Sequence, residues 1–117
     1  MKPFLLLILS AFLFLISCSK EDKPQMTFTN NIAEGTADNQ GNYTITGHIS
    51  SAVRLDVVYL TRQGELTPFY TDASTAKNKN EYDFTWPVTG ITANTVIVIR
   101  VTNQNGGEIT GTFLIKK

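Results

Sequence analysis

Thr95-Val96-Ile97-Val98-Ile99-Arg100-Val101-Thr102, then Asn103-Gln104-Asn105-Gly106-Gly107, then Glu108-Ile109-Thr110-Gly111-Thr112-Phe113-Leu114-Ile115 is the stretch that decides the fold. The first run is almost wholly β-branched, and such side chains are restricted in a helix but pack well on a pleated surface. The middle segment concentrates Asn and Gly, which tolerate the left-handed geometry of a tight turn. The last run alternates again, with Ile109, Gly111, Phe113 and Ile115 on one side. Strand, turn and strand together predict an antiparallel hairpin.

Moving upstream, period-two alternation persists and no segment carries a helical stripe. Tyr82, Phe84, Trp86 and Val88 form an aromatic face opposite Glu81, Asp83 and Thr85, with Trp86 expected in the core. Pro87 cannot donate a ladder hydrogen bond, so this strand is expected at a sheet edge or ends there. Residues 71–80 read as a polar loop and residues 65–70 as a strand after a turn at Gln63-Gly64. Val53, Leu55, Val57 and Tyr59 read as one inward face. Tyr43, Ile45, Gly47 and Ile49 alternate with Thr44, Thr46 and His48 as a half-buried strand. Residues 26–30 read as a first strand, continued by residues 32–37 after a kink at Asn30-Asn31. About seven short strands with regular turn signals predict an all-β chain folded as an antiparallel β-sandwich.

The stretch from Val96 to Ile115 resembles the last hairpin of bacterial Ig-like and PKD-like domains, which implies an Ig-like sandwich over residues 26–117. The Cys-Trp-Cys core of antibody domains is absent, and fold alone does not imply function.

The amino-terminal residues read as an address. Lys2 precedes an apolar run over residues 4–16, shorter than the roughly 20 residues needed to span a bilayer as a helix. Leu15-Ile16-Ser17-Cys18 closes it and resembles the lipobox of bacterial lipoproteins. That resemblance implies a cleaved signal peptide over residues 1–17 and a diacylglycerol on the Cys18 thiol, with acylation (palmitate is typical) of the new amine. Lys20-Glu21-Asp22 resembles the export signal of Bacteroidetes lipoproteins, which implies an outer-membrane location facing the cell exterior. Residues 18–25 would then be the lipidated Cys and its tether.

Cys18 is the only cysteine, so no disulfide can form within the chain. Lys2 is lost with the signal peptide, leaving nine of ten basic residues against ten acidic ones. This balance gives no electrostatic case for nucleic acid. The catalytic inventory is thin: His48 is the lone histidine and points outward as a solvated residue, so no nucleophile–histidine site has its parts. Glu81 and Asp83 read as a solvated strand face. Asp38-Asn39-Gln40-Gly41-Asn42 offers oxygen ligands for calcium, but turn chemistry explains its composition. Neither a metal, a cofactor nor an enzymatic activity is expected.

Two candidate sites remain. With Val53, Leu55, Val57 and Tyr59 inward, Val58, Leu60, Val96 and Val98 face outward as one apolar patch, rimmed by Arg54, Arg62 and Arg100. Exposed apolar patches mark partner sites. Phe69 and Tyr70 offer an alternative, a stacking platform for a glycan. The sequence thus points to a lipid-anchored binding or assembly module whose partner is another envelope or surface protein, with glycan binding as the alternative.

Overall fold

A computed structural model of the protein describes residues 22–117. The expected signal peptide, Cys18, Lys20 and Glu21 lie outside the described residues. Eight strands follow one another: β1 (Gln25–Phe28), β2 (Glu34–Thr36), β3 (Tyr43–Ser50), β4 (Leu55–Arg62), β5 (Tyr70–Asp72), β6 (Glu81–Val88), β7 (Thr95–Asn103) and β8 (Glu108–Lys116). They build two sheets, ordered β1-β3-β6 and β2-β8-β7-β4-β5. The deciding hairpin is formed by β7 and β8, paired from Thr95↔Ile115 to Thr102↔Glu108. Its turn reverses at Gly106, where φ is 82°.

The strand beyond the expected seven is β2, and it corrects the reading of residues 32–37. Asn30 and Asn31 both adopt left-handed geometry, with φ of 59° and 58°, which Asn tolerates better than most residues. The chain does not resume its first strand after this kink. It crosses to the other sheet, where β2 runs parallel to β8. Every other strand pair among the described residues is antiparallel. The folded part begins before residue 26, because Pro24 is buried and Gln25 already pairs with Ser50.

Alternation fills the space between the sheets. Ile45 and Ile49 of β3 and Phe84, Trp86 and Val88 of β6 meet Ile97, Ile99 and Val101 of β7 and Phe113 and Ile115 of β8, all buried. Each such aliphatic or aromatic side chain contributes about 1.5–3 kcal/mol through burial. Trp86 stacks on Phe84 at 3.8 Å between ring centres. β6 is an edge strand, which accommodates Pro87.

β4 departs from the expected register. Leu55 lies opposite Asn103, yet Val58 lies opposite Val101, so β4 spends one more residue than β7 over this step. Such a bulge reverses the parity of every later side chain. The Thr102 hydroxyl closes it, accepting from the Val57 N–H and donating to the Val57 carbonyl, both at 3.1 Å. Leu55 therefore faces the core before the bulge, and Val58 and Leu60 face it afterwards, all with no exposed area. Val58 and Leu60 are core residues, not part of an outward patch. Val57 and Tyr59 are the half-buried residues turned outward. The strand expected over residues 65–70 is displaced: residues 63–69 form a loop, and Tyr70–Asp72, which runs into the expected 71–80 loop, pairs with β4.

Candidate functional site

The parity change on β4 places Tyr59 beside Arg100 on the outer face of the five-stranded sheet. The two are direct cross-strand partners, and the guanidinium lies 4.5 Å from the ring centre. Contact of this kind is worth about 0.5–1 kcal/mol at an exposed position. Arg100 Nε also stands 3.8 Å from Glu108 Oε2. Val98 follows on the same face, opposite Thr61 on one side and Thr112 on the other. Val96, half-buried like Val98, lies opposite Leu114 at the edge of this surface.

The 63–69 loop walls this face, contributing the fully exposed Leu66 and also Pro68. The result is a shallow groove of about 340 Å³ lined by Tyr59, Thr61, Leu66, Pro68, Val98, Arg100 and Thr110. Val96, Val98 and Arg100 are thus placed outward as the sequence indicated. Tyr59, Thr61 and Leu66 were missed.

The two other arginines do not rim this surface. Arg62 lies opposite Ile97, in the core-facing register at the end of β4. From there it donates to the Thr89 carbonyl at 2.7 Å and covers the Phe69 ring at 5.0 Å. Arg54 precedes β4 and accepts the Gln104 N–H at its carbonyl, beside the β7–β8 turn.

Phe69 and Tyr70 are each a little over a third exposed. Successive in the chain, they turn to different neighbours. Phe69 lies under Arg62, while Tyr70 stands opposite Leu60 on β5. Burial, with the nearby Asp72 and Tyr82, pushes the Tyr70 hydroxyl above its ordinary pKa.

His48 is less solitary than its sequence suggests. It faces Asp83 across β3 and β6, with Nδ1 2.7 Å from Asp83 Oδ1 and Nε2 3.4 Å from Glu81 Oε1. The hydrogen bond to Asp83 raises the imidazole pKa against a smaller desolvation effect, and Glu81 adds to it. Glu81 and Asp83 thus clamp the imidazole on an exposed strand face. In the 38–42 turn, Asp38 Oδ1 accepts the amides of Gln40 and Asn42 at 2.9 Å each. Its oxygen is engaged by backbone, as turn chemistry expects.

Asp72 was not singled out from sequence. It is 4% exposed, with Oδ1 accepting the amides of Ser74 and Thr75 and Oδ2 accepting the Thr75 hydroxyl. Burial pushes this carboxyl up, but the hydroxyl and the amides of Ser74, Thr75 and Ala76 outweigh it and hold the pKa low. Asp72-Ala73-Ser74-Thr75 carries the Asx-turn composition that signals such a site. Of Lys20-Glu21-Asp22 only Asp22 is described; it is exposed, and its carbonyl accepts Asn103 Nδ2.

The two-sheet sandwich has a counterpart among solved structures. A structure of the Clostridium thermocellum CbhA fibronectin(III)-like modules matches this chain with a TM-score of 0.54 at 16% identity. The fold is fibronectin III-like. The match covers 80% of this chain and 46% of that one, so this chain spans just under half that structure's length. No family model and no curated protein matches the chain. The fibronectin III-like sandwich supplies the frame, and the groove on its larger sheet is a feature of this chain's own residues.

Proposed function

We propose that this protein is a non-enzymatic, lipid-anchored binding or assembly module, displayed on the outer membrane and engaging another envelope protein through the outer face of its five-stranded sheet. The observation that carries this reading is the groove over Tyr59, Val98 and Arg100, with Leu66 fully exposed on its wall. Aromatic and Arg side chains are enriched at binding hot spots, where they combine apolar area with directional contacts. The lipobox-like Leu15-Ile16-Ser17-Cys18 supports the anchor, and Lys20-Glu21-Asp22 supports surface display. Two or more acyl chains hold a protein stably at a bilayer, where one holds it only marginally.

The test is a cross-linking capture from intact cells with a reagent that cannot cross the outer membrane. Wild type yields a specific co-purified protein and Val98→Glu loses it. Capture that survives Val98→Glu contradicts the site. Cross-links that form only after permeabilisation contradict surface display.

The exposure of Phe69 and Tyr70 favours a second reading, a glycan-binding accessory lipoprotein. Phe69→Ala or Tyr70→Ala then weakens retention on a polysaccharide gel. Unchanged retention of both variants counts against it.

A further inference from the structure

The chain enters the sandwich through a contact at the end that carries the β7–β8 turn. Asn103, 3% exposed, is the last residue of β7, at the mouth of the β7–β8 turn, and uses its side chain twice. Its Oδ1 accepts the amides of Asn105 and Gly107, shaping the turn, while its Nδ2 donates to the carbonyl of Asp22. Gly107 completes the seat, since a Cβ there would stand 2.5 Å from the same Asp22 oxygen. Pro24 is buried immediately afterwards, and Gln25 enters β1. The chain is therefore held against the domain from Asp22 onward.

We infer that the end of the sandwich carrying the β7–β8 turn faces the membrane, that the loop of residues 63–69 lies toward the far end, and that the groove, on the face of the sheet, opens sideways along the bilayer. This rests on lipidation of Cys18. Three residues, and so four Cα–Cα steps, separate Cys18 from Asp22, a reach of at most about 14 Å fully extended. β7 alone carries the chain about 27 Å from one end of the sandwich to the other. A tether shorter than the domain, seated on one end, cannot swing the molecule over. The partner that meets the turn end is a lipid headgroup surface, and the groove is left open to a protein standing beside the domain.

The full lipidated protein, reconstituted in phosphatidylcholine vesicles containing a headgroup-nitroxide lipid, tests this. A fluorophore is attached to Asn105→Cys at the turn, or to Leu66→Cys at the far loop. Quenching several-fold stronger at position 105 than at 66 is expected, and equal or reversed quenching overturns the orientation. Insertion of a twelve-residue Gly/Ser segment after Ser19 leaves the domain untouched and removes the difference; a difference that survives insertion overturns the role of the tether. Gly107→Ala, with its folding checked by thermal melt, weakens the difference by unseating Asp22. Protein that fails to float with the vesicles overturns lipid anchoring itself, whereas floating protein with equal quenching overturns only the orientation.

Discussion

Arg100 lies across the ring of Tyr59, its guanidinium 4.5 Å from the ring centre, because one surplus residue in β4 turns Tyr59 to the outside of the sheet. The same surplus residue turns Val58 and Leu60 inward. Core and groove are thus two consequences of one bulge. Without it, an aromatic ring with a hydroxyl would have to be accommodated between the sheets and two aliphatic side chains would stand in water.

Truncation separates the two faces energetically. Leu60→Ala removes a fully buried side chain and is expected to cost about 2–5 kcal/mol, from lost transfer energy plus the cavity left behind. Leu66→Ala, at a fully exposed position, changes stability by no more than about 0.5 kcal/mol. Urea denaturation of both variants measures the contrast; equal losses would mean that β4 keeps the uninterrupted parity.

The bulge itself depends on Thr102. Thr102→Val keeps shape and β propensity but removes the hydroxyl that serves both the N–H and the carbonyl of Val57. Leaving these groups unpaired in a partly buried position costs about 1–3 kcal/mol. Chemical denaturation gives the magnitude, and a loss of partner capture alongside it would follow from movement of Tyr59.

Asp72 sets an acid limit. Its folded-state pKa lies below the unfolded value of about 3.9. Its contribution is therefore complete above that value and is lost as pH falls through the folded one. Between pH 6 and 3 the urea midpoint of wild type falls, and that of Asp72→Asn, already lower at pH 6, falls less. Parallel curves would show that the carboxylate is not what holds the 72–76 loop.

His48 acts in the opposite direction. Its folded pKa lies above the ordinary value of about 6.5, chiefly through Asp83. Its contribution is present below that value and is lost as pH rises through the folded one. The pair is exposed, so the effect is small and screened by salt. An NMR titration of the imidazole should give a midpoint above 6.5 that returns toward it in Asp83→Asn; a wild-type midpoint at or below 6.5 would contradict the clamp.

The hairpin of β7 and β8 was legible because nothing interrupts its alternation, and the inward faces of β3 and β6 followed for the same reason. β4 misled because Val57 and Val58 are both apolar, so either parity satisfies the pattern around them. The polar Thr61 after Leu60 favours the outward parity of Tyr59, a hint that lies beyond the bulge and is local to three residues. The kink at Asn30-Asn31 was readable as turn chemistry, but the change of sheet was not, because parallel pairing of β2 with β8 joins residues distant in the chain. His48 and its two carboxylates are likewise brought together by strand register, 33 and 35 residues apart.

The outer face of the five-stranded sheet is the proposed working surface. A photo-reactive residue placed at Val98, on that face, and at Thr85, exposed on the outer face of the other sheet, compares the two surfaces directly in living cells. The account predicts one discrete adduct from position 98 and none of that mass from position 85. Adducts of the same mass from both positions, or from position 85 alone, would contradict it.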